Sequence, residues 1–307
     1  MVFRPTSLRA LAGCSLLAAA CGGSSPDTAD AAGGTVDAAP DGFTELLGRD
    51  WALNPGDTDI YKCVRITVPQ DMYIQAFKAV APLGTHHTVV TISTDGADGD
   101  YDCNAGSLDS QMLFATGVGT DTLSFPDGVA VKVLAGQHIN LNLHLFDATD
   151  NPLSGHTAIM VKTIPAAQVQ QQAEMVFAGT FNINIPSDNL EHTAHGGCTL
   201  NHDATISVLW PHMHQTAVHQ KVMLTPVGGA AKPILDDDYS FTEQRNYPQA
   251  VPIQVHSGDQ IDVTCSYINN TGSPKTFGES STSEMCFTGI YRYPASASNL
   301  FECVTQF

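Results

Sequence analysis

The clearest pattern in the chain is a strict alternation of apolar and polar side chains at residues 138–145. Its apolar members are Ile139, Leu141, Leu143 and Leu145, and its polar members are His138, Asn140, Asn142 and His144. Successive side chains of a β-strand point to opposite faces, so the pattern predicts a strand over 139–146. His144 then stands on the polar face of a rigid sheet, where a ligand can reach it. On this pattern alone, a solvated histidine is the simpler interpretation.

Similar short runs predict further strands along the chain. They fall at 64–68, 73–80, 88–93, 129–134, 158–163, 175–185, 205–210, 221–225, 253–255, 260–268 and 285–293. Clusters of Gly, Pro, Asn and Asp separate many of these runs, and few segments have helical periodicity. The sequence therefore predicts an all-β protein with two tandem jelly-roll-like antiparallel β-sandwich domains. With a boundary near Ile164-Pro165, the domains span residues 43–165 and 166–307.

The N-terminal residues have the composition of an export signal. Residues 1–20 carry Arg4 and Arg9 before a short apolar stretch, which predicts a lipoprotein signal peptide. The segment 17–21 resembles a bacterial lipoprotein cleavage site with Cys21 as the lipidated residue; Cys14 and an ordinary cleaved signal peptide are the alternatives. Residues 21–42 are small and polar and predict a flexible linker. We therefore expect an exported monomer that meets a bacterial membrane only through its lipid, in the periplasm or at the cell surface.

Charge and cysteine content narrow the possible functions. The chain has 31 acidic and 13 basic residues and a net charge of −18, which argues against nucleic-acid binding. Six cysteines remain beyond Cys14 and Cys21, and an even number in an exported protein predicts three disulfides. The sequence by itself does not choose among the possible pairings.

Two histidine pairs are candidate metal ligands. His212 and His214 follow an apolar, strand-like run, and side chains two apart on a strand share a face, so both imidazoles can reach one metal. His86 and His87 are adjacent at the start of a predicted strand. They would point to opposite faces unless the chain turns or bulges there, which Gly84 and Thr85 make plausible.

Met285 lies in an apolar run and is most simply interpreted as core filler. A thioether is nevertheless a soft ligand that suits Cu(I), and imidazole suits copper in both oxidation states. A set of histidines and a methionine would be unusual for zinc, which prefers Cys, His and carboxylate.

Taken in order, these motifs resemble one known family. The pattern His86-His87, His144, His212-x-His214 and Glu284-Met285-Cys286 resembles the copper type II, ascorbate-dependent monooxygenases, which include peptidylglycine α-hydroxylating monooxygenase and dopamine β-monooxygenase. The resemblance covers roughly residues 63 to 303. It implies two β-sandwich domains with one copper each, facing each other across an open, solvent-filled cleft. It further implies that His86, His87 and His144 bind the electron-transfer copper, and that His212, His214 and Met285 bind the copper that activates oxygen.

The resemblance also implies an activity and a set of disulfides. The activity is hydroxylation of an activated C–H bond of a small organic substrate by O2, with a reductant such as ascorbate. The implied pairs are Cys63–Cys103, Cys198–Cys303 and Cys265–Cys286. The chain departs from the peptide enzyme at two substrate-anchoring places, where Trp210 and Gly289 replace an arginine and a tyrosine. A peptide ending in glycine is therefore a doubtful substrate.

Three other functions are compatible with parts of the sequence. The first is a non-catalytic copper-binding or electron-transfer surface lipoprotein of the same fold. The second is a zinc hydrolase built on His212-x-His214, although Gln215 and Thr216 interrupt the hydrolase signature. The third is a structural β-sandwich whose histidines have no common role.

Overall fold

The structure is a computed structural model of the 307-residue chain and describes residues 41–93, 96–104, 111–117, 122–297 and 299–306. The predicted signal peptide, Cys21 and the linker up to residue 40 lie outside the described residues. Within the described residues, no helix has the length and apolarity needed to cross a membrane. The one helical segment of this part is a 3-10 turn at Ala166–Gln168.

Among its described residues, the first half of the chain contributes ten strands. They are Thr44–Leu53 (β1), Ile60–Thr67 (β2), Met72–Val80 (β3), Thr85–Ser93 (β4), Gly99–Asp102 (β5), Gln111–Gly117 (β6), Leu123–Ser124 (β7), Val129–Val133 (β8), His138–Leu145 (β9) and Leu153–Thr163 (β10). Strands β2, β4, β5, β6 and β9 form a five-stranded sheet in the order β5-β2-β9-β4-β6.

The part of the second half that the structure describes contributes eleven strands. They are Gln171–Thr180 (β11), Asn184–Ile185 (β12), Glu191–Thr199 (β13), Ala204–His212 (β14), Ala217–Thr225 (β15), Lys232–Asp238 (β16), Tyr247–Val255 (β17), Gln260–Ile268 (β18), Lys275–Thr276 (β19), Cys286–Tyr293 (β20) and Cys303–Thr305 (β21). Strands β13, β18, β15 and β16 form a four-stranded sheet in that order.

A long sheet connects the two halves. Its order is β1-β10-β3-β8-β11-β20-β14-β17, and the parallel pairing of β8 with β11 joins the strands of the first half to those of the second. The all-β class predicted from the sequence is confirmed, because almost every described element is a strand and most pairings are antiparallel. The division into domains 43–165 and 166–307 stays a prediction.

The part of the long sheet formed by β11, β20 and β14 is buried on both faces. Val176, Leu209 and Ile290 point into the core beneath the four-stranded sheet. Phe177, Trp210 and Phe287 alternate with such residues and point to the opposite face, where they join the core of the first half. Because side chains alternate along a strand, the face that carries Trp210 also carries His212 toward the first half of the chain.

The strand predictions are correct in type and incomplete in number. The predicted run 175–185 is two strands, β11 and β12, separated by residues 181–183. Eight strands have no counterpart in the sequence prediction: β1, β5, β6, β7, β13, β16, β19 and β21. The three disulfides are the pairs that the resemblance implied, with Cα–Cα distances of 5.9 Å for Cys63–Cys103, 4.8 Å for Cys198–Cys303 and 5.8 Å for Cys265–Cys286.

Candidate metal centre and cavity

A β-bulge at the start of β4 brings two adjacent histidines to one place. In the pairing of β4 with β9, Thr85 lies opposite Leu145 and His87 lies opposite His144, so His86 is the extra residue. A bulge leaves one residue unpaired and changes the direction of its side chain. His86 and His87 therefore face the same point instead of opposite faces, as the sequence analysis required for a shared metal.

Three imidazole nitrogens converge at this bulge. His86 Nδ1 lies 3.0 Å from His87 Nδ1, and His87 Nδ1 lies 3.3 Å from His144 Nδ1. Candidate ligand atoms of all three residues lie within 4.8 Å of one another, and His144 is buried. A single proton between two ring nitrogens does not satisfy all three, whereas one metal ion accepts a lone pair from each. This set fits a metal that prefers imidazole.

The loop before β2 fixes the orientation of His144. Asp59 Oδ1 lies 2.9 Å from His144 Nε2, so the Nε2–H donates to the carboxylate and the Nδ1 lone pair faces His87. The ring of Tyr61 stacks on the ring of His144 at a centroid distance of 4.6 Å and an interplanar angle of 2°. A carboxylate behind a ligating imidazole selects its tautomer and increases its basicity.

The second histidine pair lies at the end of β14. His212 is the last residue of the strand and His214 belongs to the turn that follows, so the two are not on one continuous strand as predicted. Their rings are nevertheless neighbours, with centroids 5.4 Å apart. His212 Nδ1 donates to Gln244 Oε1 at 3.1 Å, and His214 Nδ1 donates to the carbonyl of Ser283 at 3.2 Å. Both Nδ1 atoms are thus occupied, which leaves the Nε2 lone pairs for a metal.

A buried carboxylate ties this turn to Met285. Glu284 is fully buried and accepts hydrogen bonds from His214 N at 3.0 Å, Thr216 N at 2.8 Å and Thr216 Oγ1 at 2.7 Å. Met285 follows it directly, and the Cys265–Cys286 disulfide anchors the next residue. Glu284 therefore holds the chain segments of His214 and Met285 together.

Both groups of candidate ligands line one cavity of about 240 Å³. Its wall includes His87 from the first group and His212, His214 and Met285 from the second. The segment between β16 and β17 also lies there, because the ring of Phe241 is 4.6 Å from that of His86 and 6.3 Å from that of His214. The resemblance implied an open cleft between the two sites. In this structure, side chains of the second half occupy part of that space.

Burial keeps these histidines neutral. Burial, together with the nearby His144, lowers the pKa of His86 to about 4, and burial lowers the pKa of His212 to about 4. Burial and then the neighbouring His212 lower the pKa of His214 to about 3. Burial and the adjacent histidines also hold the pKa of His87 well below its usual value. Neutral imidazole is the form that binds metals, so protons do not compete for these ligands at neutral pH.

The two departures from the peptide enzyme are direct neighbours in the sheet. Trp210 on β14 lies opposite Gly289 on β20. A Cβ on Gly289 would lie 2.4 Å from Met175 Cε and 3.2 Å from Trp210 Cε3. A side chain at position 289 would therefore require the flexible end of Met175 to move, while the indole of Trp210 lies beside it.

Four residues around these groups have no predicted role in the sequence: Asp59, Phe241, Gln244 and Glu284. Glu284 is adjacent to Met285 in the motif, but its position alone does not indicate what it contacts. Asp59 lies two residues before Tyr61 in a turn-rich stretch, and nothing local connects it to His144. No signal in the sequence indicates that Gln244, thirty-two residues after its partner, contacts His212.

Four of the remaining histidines pair with aspartates near the protein surface. His156, His192, His219 and His256 each lie within salt-bridge distance of an aspartate. Among the described residues, the group of His86, His87 and His144 is the one set of three His, Cys, Asp or Glu side chains close enough to hold a metal.

Known proteins provide one specific match. Residues 171–307 match the family described as copper type II ascorbate-dependent monooxygenase, C-terminal domain. No curated protein matches the chain. Solved structures with some likeness include an archaeal virus protein with a triple jelly roll fold, at 10% identity and a TM-score of 0.24, over 83% of this chain and 61% of that chain. This chain thus spans about three fifths of the viral one.

Another such structure is the VP2 subviral particle of infectious bursal disease virus, at 10% identity and a TM-score of 0.19, over 82% of this chain and 72% of that chain. Likeness at these values carries no argument about function. The family match, by contrast, covers β11 to β21 and includes His212, His214 and Met285. The second half of the chain, residues 171–307, thus matches the C-terminal domain of the copper type II ascorbate-dependent monooxygenase family.

Proposed function

We propose that this protein is a monooxygenase with two separate mononuclear copper sites. His86, His87 and His144 would hold one copper and His212, His214 and Met285 the other. The observation that carries the proposal is the convergence of three Nδ1 atoms at the β4 bulge in a chain whose other half matches a copper family. Imidazoles with one thioether form a soft donor set that suits copper and disfavours the alternative of a zinc hydrolase.

The proposed reaction inserts one oxygen atom into a C–H bond. A substrate R–H, O2 and ascorbate would give R–OH, water and dehydroascorbate, so the reductant supplies two electrons and two hydrogens. Bound copper would supply the one-electron redox and oxygen chemistry that no side chain provides. The side chains of the protein would position that chemistry.

Each surrounding residue has a definite part in this positioning. Asp59 and Tyr61 orient His144 with Nδ1 inward, and Gln244 and the Ser283 carbonyl orient His212 and His214 with Nε2 inward. The aromatic wall of the cavity limits the access of water to the reacting centre. Among the described cavity residues we assign none as a general base, since the proposed reaction needs none.

Copper stoichiometry and turnover test the proposal with two histidine variants. The full chain, loaded with copper, should bind two coppers and consume ascorbate and O2 in a substrate-dependent manner. His214→Ala should retain one copper and lose oxygen-dependent product, and His144→Ala should lose the other copper. His195→Ala, at an exposed histidine on β13, is the matched control and should behave as the wild-type chain.

Different results would reject separate parts of the proposal. Loss of both coppers in His214→Ala would mean that the sites are not independent. Two bound coppers without substrate-dependent reductant consumption would favour the non-catalytic copper-binding or electron-transfer lipoprotein. Preferential retention of zinc from an equal mixture of both metals would reject the copper assignment.

We also propose that the protein is exported and anchored as a monomer to a bacterial membrane through Cys21. Three disulfides in the folded part support an oxidising compartment, since such bonds are rare in the cytosol. Cells expressing the chain should incorporate labelled palmitate into the wild-type protein, and Cys21→Ser should remove the label. Retention of the label in Cys21→Ser with its loss in Cys14→Ser would move the anchor to Cys14.

A further inference from the structure

The cavity between the two histidine groups has an aromatic wall. Five phenylalanines from the second half line it: Phe177, Phe181, Phe277, Phe287 and Phe301. Their rings contact one another, with centroid distances of 5.3 Å for Phe177–Phe287 and 5.2 Å for Phe181–Phe287. Met112 and Met285 complete the apolar surface. Such a wall binds an apolar group, but it provides no partner that offsets the free-energy cost of desolvating a charged one.

Charged side chains are nearly absent from this wall. Among the described residues, the cavity is lined by no lysine or arginine, and its one carboxylate is that of Glu279, an exposed residue. In the metal-free protein, a substrate carboxylate would therefore lose its water without gaining a cationic side chain, and it would meet the charge of Glu279. An ammonium group could pair with Glu279 only at that exposed position. Within the cavity itself, neither charge has a partner.

The polar groups of the wall are mostly paired with other protein groups. Thr88 and Thr116 bond to each other at 2.9 Å, and Asn142 Nδ2 donates to the carbonyl of Asn104 at 3.0 Å. Among the described residues of the wall, Trp210 has a buried Nε1 without a hydrogen-bond partner. A buried N–H without an acceptor is costly, and a ligand that supplies the acceptor recovers this cost.

Trp210 is also next to the proposed reacting centre. Its indole stacks on the ring of His212 at a centroid distance of 4.8 Å and an interplanar angle of 19°. Gly289 opposite it contributes no side chain of its own to anchor a ligand. A ligand acceptor that reaches Trp210 Nε1 is therefore held beside the His212 imidazole.

We propose that the cavity takes an uncharged, mainly apolar substrate with an aromatic ring and one hydrogen-bond acceptor, and that Trp210 binds this acceptor through its indole N–H. The cavity of about 240 Å³ suits a single ring with a short substituent. The inference rests on the proposed monooxygenase function and adds the class of its substrate. It separates this chain from enzymes that bind a carboxylate through an arginine.

Four probes of similar size distinguish the possible substrate classes. They are acetophenone, which is neutral and has one acceptor, ethylbenzene, which has none, phenethylamine, a cation, and phenylacetate, an anion. Binding of each to the full metal-free chain is measured by isothermal titration calorimetry. Acetophenone should bind most tightly and ethylbenzene next, and the two charged probes should bind more weakly than either.

The role of Trp210 is tested by removing its donor alone. Trp210→Phe keeps an aromatic ring and removes the N–H, so the affinity for acetophenone should fall about three- to tenfold, as expected for one hydrogen bond. The affinity for ethylbenzene should stay within about twofold. The matched control is Trp51→Phe, since the other tryptophan of the chain donates to Thr157 Oγ1 at 2.8 Å and does not line the cavity.

Several outcomes would overturn the inference. If phenethylamine binds more tightly than the neutral probes and Glu279→Gln abolishes this preference, the site is one for cations. If phenylacetate binds more tightly than the neutral probes, a cationic group of the protein contributes to the site. Equal loss of both neutral probes in Trp210→Phe would reduce Trp210 to a packing residue. If Trp210→Phe does not fold, the order of the four probes on the wild-type chain still decides the class. Failure of all four probes, with copper binding and oxygen consumption intact, would reject the substrate class and leave the proposed function standing.

Discussion

Replacing Glu284 by glutamine should loosen the C-terminal group of candidate ligands without removing any of them. The carboxylate accepts three hydrogen bonds, two from Thr216 on one oxygen and one from His214 N on the other. Burial raises the pKa of Glu284, while the hydrogen bonds from Thr216 and from the backbone oppose this shift. The side chain is 0% exposed, so water does not replace a lost acceptor.

The size of the effect follows from the hydrogen bonds that a glutamine cannot accept. The amide of glutamine has one carbonyl oxygen, and its NH2 group must face either His214 N–H or the two donors of Thr216. At least one buried donor then loses its acceptor, at a cost of about 1–3 kcal/mol. We expect Glu284→Gln to lower the free energy of unfolding by this amount. Because His214 and Met285 lose their common anchor, copper affinity at the second site should fall as well.

Chemical denaturation of the metal-free chain and copper titration measure the two effects. Glu191→Gln, at an exposed position on β13, removes the same charge without removing a buried acceptor and is the matched control. It should leave both quantities unchanged. An unfolding midpoint and a copper affinity in Glu284→Gln equal to those of the control would refute the role assigned to this carboxylate.

Three further predictions concern the same region. Asp59→Ala should lower the copper affinity of the first site about 10–100-fold and leave that of the second site unchanged, as measured by copper titration. An equal loss of affinity at both sites would contradict this prediction. The metal-free protein should lose stability below about pH 6.5, because the unfolded chain binds protons that His214, with a pKa lowered to about 3, does not bind when folded. By about pH 5 this residue alone lowers the free energy of unfolding by up to about 2 kcal/mol. His214→Asn should therefore flatten the dependence of the denaturation midpoint on pH. An unchanged slope would contradict the lowered pKa of His214. Gly289→Ala should lower the free energy of unfolding by less than about 1.5 kcal/mol, because the atom nearest to its Cβ is the terminal methyl of the flexible Met175 side chain; a loss of several kcal/mol in thermal or chemical unfolding would mean that Met175 cannot move.

Some features of the site could be predicted because they depend on local geometry. The alternation at 139–145 assigned Ile139 and Leu143 to the core, and both are fully buried. The order of the histidine motifs led to the family whose C-terminal domain matches residues 171–307. The same pattern did not predict that His144 is buried too, because the second face of β9 is covered by parts of the chain distant in sequence.

The sequence by itself determined the all-β class, the candidate ligands and, through the family resemblance, the three disulfide pairs. Only the tertiary structure decided which ring nitrogens face each other, because a bulge opposite Leu145 sets the direction of His86 and a carboxylate at Asp59 sets the tautomer of His144. It also decided that both histidine groups line one aromatic cavity, since Phe241 and Gln244 reach them from a distant loop. Strand periodicity fixes the face on which a side chain lies, whereas its contacts depend on the packing of sheets that lie far apart in the sequence.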